Sequence, residues 1–184
     1  MDILQKNFIY KENKLITLQE LKNLVNELLN VEWDIRTNKG DMKISLKDWD
    51  FRFNNTKRAI GRTNKKLRVI ELSTKFWEVN QDKARDWEDT IRHEIAHAID
   101  IEIRGGSRHD SIWRNIAIQV CADPRATTSK FTAPRRKYTL ICPKCGHSVQ
   151  LERKSYREYA CPYCCKKYNN NKWSEEYKMI YKLN

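Results

Sequence analysis

The sequence predicts an α+β fold, with a small antiparallel sheet packed on helices and a separate four-cysteine module behind it. Three observations support this prediction. Helical apolar periodicity alternates with short strand-like runs over residues 1–129, a histidine motif lies within the longest helical pattern, and two C-x-x-C pairs lie near the end of the 184-residue chain. This length allows one compact domain and a small appendage.

The elements of the first 129 residues follow from local signals. Thr17-Leu-Gln-Glu20 is a capping box that opens a helix. The apolar face of this helix consists of Leu21, Leu24, Val25, Leu28 and Leu29. Strand-like runs follow at 42–46, 49–53, 57–62 and 68–72. Ser73 or Thr74 is expected to cap a short helical turn that ends at Trp77.

A long helix is predicted over 82–104, and it contains His93-Glu94-Ile95-Ala96-His97. Residues four apart on a helix are neighbours, about 5–6 Å between Cβ atoms, so both imidazoles can reach one metal ion. Glu94 lies about 100° around the helix from His93, where its carboxylate can accept a proton from water. H-E-x-x-H on a helix predicts a catalytic zinc site with a built-in general base.

A third ligand is expected because a catalytic zinc has three protein ligands and one open position. Gly105-Gly106 ends the helix, and the chain can return with His109 at the start of a second helix over 111–120. Glu102 is turned away from the histidine face. Asp110 remains a rival ligand, although imidazole suits zinc better than a lone carboxylate.

The residues after His97 exclude one related class of zinc site. A metzincin continues the motif as H-E-x-x-H-x-x-G-x-x-H, but Asp100 stands at the glycine position and Ile103 at the last histidine. Two roles remain open for Asp100. It can hold the second nitrogen of a histidine ligand, or it can be a solvated acid near the helix end.

Five segments in the same order resemble the SprT-like (Spartan) zinc metalloprotease family. They are residues 49–55, 59–61, 69–73, 89–98 and 109–113. The resemblance implies a zincin-like fold, zinc ligands at His93, His97 and His109, and Glu94 as the catalytic base. It also implies substrates that are proteins covalently trapped on DNA. Asp110 departs from the family pattern, which usually has glycine at this position.

The second strong motif lies near the C-terminus. Cys142-Pro-Lys-Cys145 and Cys161-Pro-Tyr-Cys164 are separated by fifteen residues, the spacing of a four-cysteine zinc ribbon. Gly146 follows the first pair, where the turn favours a residue without Cβ. Cys165 is an alternative fourth ligand, although the parallel C-P-x-C pairs favour Cys164.

The segments between and after the cysteine pairs complete the predicted ribbon. Residues 148–153 and 156–160 alternate as ribbon strands do, and residues 171–184 form a short C-terminal helix or tail. A disulfide-stapled secreted module is the alternative for the cysteines. We expect an intracellular protein, cytoplasmic or nucleoid-associated (nuclear in a eukaryote), because no signal segment opens the chain.

The formal net charge of +12 is unevenly distributed. Residues 1–129 carry 23 Lys and Arg against 20 Asp and Glu, whereas residues 130–184 carry 13 against 4. Aromatic residues are interleaved with these cations, and aromatic faces stack on unpaired bases while cations bind phosphates. DNA, single-stranded or at a junction, is therefore the expected partner. The candidate contacts are Arg135, Arg136, Lys137, Tyr159 and Trp173. The alternative is a solvated basic face with tyrosines that pack the ribbon.

Together these patterns predict a catalytic domain over 1–129, a basic linker over 130–137, a ribbon over 138–170 and the tail. We expect two zinc ions, one catalytic and one structural, in a monomer without membrane contact.

An edge strand leading to Ser73 would bind the substrate backbone. The predicted activity is zinc-dependent cleavage of DNA-bound proteins. The alternatives are a DNA-binding zinc protein without proteolysis, and a zinc protease whose ribbon binds a protein partner.

Overall fold

The structure is a computed structural model that describes residues 9–11, 13–125 and 130–184. It divides into two compact units, Met1–Pro134 and Arg135–Asn184. The domain end predicted at residue 129 lies within 126–129, outside the described residues. Part of the predicted linker belongs to the first unit, because Phe131 packs edge-on against Trp87 with ring centroids 4.9 Å apart.

The first unit has the predicted α+β composition. Its elements are α1 (Leu18–Asn30), β1 (Glu32–Thr37), β2 (Gly40–Ser45), β3 (Asp50–Asn54), β4 (Gly61–Asn64), β5 (Val69–Ser73), α2 (Thr74–Trp77), α3 (Ala84–Arg104) and α4 (Ser111–Gln119). Helix α1 begins at the capping box, where the Thr17 hydroxyl accepts from the Glu20 amide and the Glu20 carboxylate accepts from the Thr17 amide. Ser73 caps α2 by accepting from the amide of Phe76.

The strands of the first unit form two small sheets rather than one antiparallel sheet. Strands β1 and β2 form an antiparallel hairpin, and the other sheet has the order β3-β5-β4. Strand β3 is parallel to β5, whereas β4 is antiparallel to it. The second sheet is antiparallel between β4 and β5, as predicted, but parallel between β3 and β5, because residues 55–60 carry the chain past the position of β5. Strand β4 then occupies the far edge, and the chain turns back to place β5 in the centre.

Helix α3 forms the centre of the first unit's core. Its apolar residues Ile91, Ile95 and Ile99 are fully buried, and each such side chain contributes roughly 1.5–3 kcal/mol to folding. The same helix buries an ion pair between Glu88 and Arg92, with 2.8 Å between Oε1 and Nη2. This packing matters because the histidine motif lies on the next turn of α3.

The second unit contains β6 (Tyr138–Ile141), β7 (Ser148–Leu151), α5 (Pro162–Tyr168), a 3-10 turn (Glu175–Tyr177) and β8 (Ile180–Leu183). The three strands form an antiparallel sheet in the order β7-β6-β8.

Two predictions for the second unit are wrong. Residues 156–160 form no strand, and only Ala160 makes an isolated bridge, to Lys178. Residues 171–184 form no α-helix, because Ile180–Leu183 pairs with β6 instead. Residues 180–183 therefore supply the third strand of this sheet. Met179, just before this strand, is buried beside the cysteines. Among the described residues, no helix has the length and apolar character needed to cross a membrane.

Candidate active site

Helix α3 and the turn after it bring three histidines together. His93 and His97 lie one turn apart on α3, which ends at Gly105 with a left-handed φ of 70°. The chain then reverses and places His109 opposite the helix. The Nε2 atom of His109 lies 3.0 Å from Nε2 of His97 and 3.1 Å from Nε2 of His93. All three imidazoles therefore direct their Nε2 atoms toward one point.

This arrangement has the donor atoms and spacing of a metal site. Zinc binds histidine nitrogens at about 2.0–2.1 Å in tetrahedral geometry, which separates two ligand nitrogens by roughly 3.4 Å. The observed separations need only a small adjustment to match. Burial lowers the pKa of His93 to about 4 and that of His97 to about 3, so both imidazoles are neutral at pH 7. Neutral imidazole is the form that binds a metal ion.

Two further side chains hold the histidine rings in position. The Oγ atom of Ser107 lies 2.6 Å from Nδ1 of His97, and such a partner fixes the orientation of a ligand ring. The fully buried Trp113 contacts all three imidazoles, with ring centroids 4.7 Å from His93, 4.9 Å from His97 and 4.4 Å from His109. Neither a local motif nor the spacing of the histidines predicts the role of Ser107.

Glu94 lies beside the histidines in an enclosed position, with only 6% of its surface exposed. The hydroxyl of Thr63 on β4 donates to the Glu94 carboxylate at 2.6 Å. A Cβ atom at Gly61 would lie 2.9 Å from Oε1 of Glu94, so glycine is needed there for space. Burial raises the pKa of Glu94 to about 7, and the hydrogen bond from Thr63 opposes this shift. A carboxyl group with this pKa can both accept and release a proton near neutral pH.

Asp100 has neither of the two roles that the sequence left open. It is fully buried, and its two oxygens accept from Nε and Nη2 of Arg104 at 2.6 and 2.7 Å. Arg104 also donates to both carboxylate oxygens of Asp110, at 2.7 and 3.0 Å. One guanidinium therefore connects the end of α3 to the start of α4.

Asp110 and Glu102, the other candidate oxygen ligands, are used elsewhere. Asp110 caps α4 and accepts from the amides of Ile112 and Trp113, both at 3.1 Å. Glu102 accepts from the indole of Trp49 at 2.9 Å. Among the described residues of the first unit, only the three histidines form a group able to hold a metal ion.

The histidines and Glu94 lie in a cleft of about 810 Å³. Strand β4 forms one wall with Gly61, Arg62 and Thr63, and α3 forms the floor. Apolar residues complete the lining, namely Ala59, Ile60, Phe76, Ile101, Phe131 and Ala133. The cleft therefore combines a partly apolar lining with the three histidines and Glu94.

The model of the SprT-like family matches residues 27–132, which is more than half of the chain. This protein belongs to the SprT-like family. The match includes the three histidines and Glu94 and ends before the two C-x-x-C pairs. No curated protein and no solved structure matches the chain at a significant level. Membership indicates a metallopeptidase-like domain. Asp110, which departs from the pattern of the resemblance, caps α4 and pairs with Arg104.

A second group of side chains able to hold a metal ion lies in the C-terminal unit. The sulfur atoms of Cys142, Cys145, Cys161 and Cys164 all lie within 4.8 Å of one another. Gly146 adopts a left-handed φ of 73° with open space around it, so its conformation, and not close contact, favours glycine. Cys165 is not part of the cluster and packs in the core of the unit. Four converging thiols suit zinc.

The five predicted nucleic-acid contacts differ in exposure. Arg135 and Lys137 are exposed, whereas Arg136 is half-buried and donates to the carbonyl of Gln150 at 3.1 Å. Tyr159 and Trp173 are 43% and 52% exposed. Other ring faces of this unit also reach solvent, at Tyr156, Tyr163 and Tyr168. Their roles in binding DNA stay predictions.

Proposed function

We propose that this protein is a zinc-dependent endopeptidase that cleaves proteins bound or crosslinked to DNA. The observation that supports this most directly is the convergence of three histidine Nε2 atoms beside a buried glutamate. A zinc ion held by His93, His97 and His109 would polarise the scissile carbonyl and lower the pKa of a water molecule. The other parts of the reaction fall to the protein's own side chains.

Glu94 acts as the general base and then as the general acid. Its carboxylate accepts the proton of the attacking water and later transfers it to the leaving amine. The hydrogen bond from Thr63 holds one carboxylate oxygen in place, and the absence of a side chain at Gly61 leaves room for the other. Enclosure of Glu94 keeps its pKa near the pH at which both transfers are needed.

The substrate backbone binds at the open edge of β4. The prediction that the strand leading to Ser73 has this role is wrong, because β5 is the central strand and both its edges are paired. The amide of Ser73 donates to the carbonyl of Ile60 at 2.8 Å. Because backbone groups alternate along an antiparallel strand, those of Gly61 and Thr63 face away from β5. They are available to a substrate strand that passes in front of Glu94.

The C-terminal unit holds a structural zinc ion and brings the enzyme to DNA. The four thiols supply the metal site. The surplus of cations, together with the exposed rings of Tyr159 and Trp173, supports binding to phosphates and unpaired bases. Proteins attached to single-stranded DNA or to junctions are therefore the proposed substrates.

One assay tests both halves of this proposal. Purified protein is incubated with a DNA-binding protein, with and without single-stranded DNA, and fragments are separated by electrophoresis. We expect cleavage that DNA stimulates. The Glu94→Gln variant should retain zinc but lose activity by roughly 10²–10⁴-fold. Equal activity of the two proteins would exclude Glu94 as the base, and cleavage indifferent to DNA would favour a protein partner for the ribbon.

A further inference from the structure

A row of alternating charges crosses the sheet that bears the cleft. Arg52 on β3, Glu71 on β5 and Arg62 on β4 occupy paired positions in adjacent strands. Paired residues project from the same face of a sheet, so the order of charges across this face is positive, negative, positive. The row ends at Arg62, which lies on the open edge.

The charge of Arg62 is only weakly compensated within this row. Glu71 is buried and lies 2.8 Å from Nε of Arg52, but 3.8 Å from Nε of Arg62. The side chain of Arg62 is 64% exposed. The acid in the centre of the sheet is therefore bound chiefly to the other arginine, and Arg62 can take a second acidic partner from the side of the open edge.

The segment around Arg62 also carries an excess of positive charge. Residues 57–68 contain six Lys and Arg and no Asp or Glu, whereas the other residues of 1–129 carry 17 Lys and Arg against 20 Asp and Glu. The first unit is therefore slightly acidic except along the segment that contains β4. Arg58, which also lines the cleft, forms no ion pair with any residue that the structure describes.

We infer that the open edge of β4, beside the cleft, selects polypeptide segments with an acidic side chain opposite Arg62. A substrate strand added to the edge of β4 would place one residue directly beside Arg62, on the face away from Glu94. An aspartate or glutamate at that position extends the alternating row by one strand, whereas a lysine or arginine places like charges side by side. A peptide fits this surface better than DNA, because the outward backbone groups of Gly61 and Thr63 have no hydrogen-bond partner among the residues that the structure describes. This inference rests on the proposed proteolysis and names the class of substrate.

The first test measures cleavage preference. The protein is incubated with a mixture of peptides, and the cleaved bonds are identified by mass spectrometry. We expect acidic residues to be enriched at one position relative to the cleaved bond, by roughly three- to tenfold over lysine, because a cross-strand charge pair has a modest effect. Arg62→Gln should remove this enrichment, and Arg62→Glu should replace it with enrichment of lysine. Arg36→Gln, at another exposed arginine of the first unit, should leave it unchanged.

The second test measures binding and does not require proteolysis. The full-length Glu94→Gln protein is titrated with a fluorescent peptide of alternating Thr and Glu, and with its counterpart of alternating Thr and Lys. Alternation places all charged side chains on one face of an added strand. We expect the Glu peptide to bind several-fold more tightly, and Arg62→Gln to remove the difference. If no peptide is cleaved, this binding difference still decides the inference, while the proposed function fails.

Two outcomes would overturn the inference. One is a cleavage profile, or a pair of peptide affinities, that does not change with the charge at position 62. The other is a loss of affinity for DNA in Arg62→Gln with no change in peptide preference, which would assign the arginine to phosphates.

Discussion

At the scale of single residues, the base and its surroundings are fitted closely together. One carboxylate oxygen of Glu94 accepts a hydrogen bond from Thr63, and the other lies so close to Gly61 that a side chain there would collide with it. The ligand rings are held in a similar way, with Ser107 against His97 and Trp113 against all three histidines. Small changes at the supporting residues should therefore alter metal binding or activity without unfolding the protein.

The Gly61→Ala substitution tests the space beside the base. Its methyl group would lie 2.9 Å from Oε1 and 3.0 Å from Cγ of Glu94, so the carboxylate must move. We expect kcat/KM to fall by at least about tenfold, because misplacement by roughly 1 Å is enough for a large loss, while zinc content stays unchanged. Gly106→Ala is the matched control, since nothing lies within 4 Å of a Cβ at that position. Equal activity of both variants would contradict the role assigned to Gly61.

The Ser107→Ala substitution tests the orientation of a ligand ring. Loss of the hydroxyl leaves Nδ1 of His97 without its 2.6 Å partner. We expect the affinity of the three-histidine site for zinc to fall by about 10- to 100-fold, measured by competition with a chromophoric chelator. The exposed Ser111→Ala serves as the control. Unchanged affinity in Ser107→Ala would mean that the ring is held by packing against Trp113 alone.

At the scale of elements, the site depends on how α3, α4 and β4 are joined. Helix α3 supplies two histidines and the base, and α4 begins beside the third histidine. Arg104 connects the two helices through Asp100 and Asp110. Strand β4 supplies the open edge because β5 is inserted between it and β3. The hydrophobic pattern of the sequence detects most of these elements, but it missed β1, where buried and exposed residues alternate at Trp33 and Ile35.

The Asp100→Asn substitution tests the connection between α3 and α4. Asp100 is fully buried and accepts two hydrogen bonds from Arg104. Bonds to charged groups contribute roughly 1.5–3 kcal/mol, so we expect the free energy of unfolding to fall by about this amount in urea denaturation. The exposed Asp82→Asn should have little effect. If both variants are equally stable, Arg104 does not need its buried partner.

At the scale of the whole molecule, the two units differ in the size of their buried cores and in their charge. The first unit has an extensive apolar core around α3. The buried core of the second unit is much smaller and consists of Leu140, Tyr177, Met179, Cys142, Cys161, Cys164 and Cys165. Such a small core cannot offset the loss of chain entropy without a metal ion. The basic charge is concentrated in this same small unit, so metal binding and DNA binding should be coupled.

Removal of metal should therefore affect the two units differently. A strong chelator is expected to unfold residues 135–184 while the first unit keeps its fold, because metal binding supplies the folding free energy of small metal-bound domains. NMR spectra before and after chelation would show loss of dispersed signals from the second unit only. Cys164→Ser should have the same effect, whereas Cys165→Ser should retain the metal. A second unit that stays folded without metal would contradict this expectation.

Loss of cations from the second unit should weaken DNA binding. Arg135→Ala combined with Lys137→Ala is the suitable variant, because Arg136 also holds Gln150. We expect weaker binding of single-stranded DNA, a shallower dependence of log Kd on log salt by up to about 1.4 for two lost phosphate contacts, and unchanged zinc content. Trp173→Ala should weaken binding to single strands more than to duplexes, since only unpaired bases expose their faces. Unchanged affinity in both variants would favour a protein partner for this unit.

The sequence by itself determined which residues form the metal-binding motifs and where the first helix begins. The H-E-x-x-H spacing, the third histidine, the two cysteine pairs and the capping box at Thr17 are local patterns. Each depends on residues close together along the chain, so each can be recognised without knowledge of the fold.

Only the tertiary structure decided how these components are arranged. The central position of β5, the insertion of Ile180–Leu183 beside β6, the hydrogen bond from Thr63 to Glu94 and the pairing of Asp100 with Arg104 were not predicted. Most of these contacts join residues far apart in the sequence. The short-range pairing of Asp100 with Arg104 was missed because a histidine nitrogen or solvent was expected to face this carboxylate. Packing decides such alternatives, since a strand can pair on either edge and a buried acid can bond to any donor that the fold brings near.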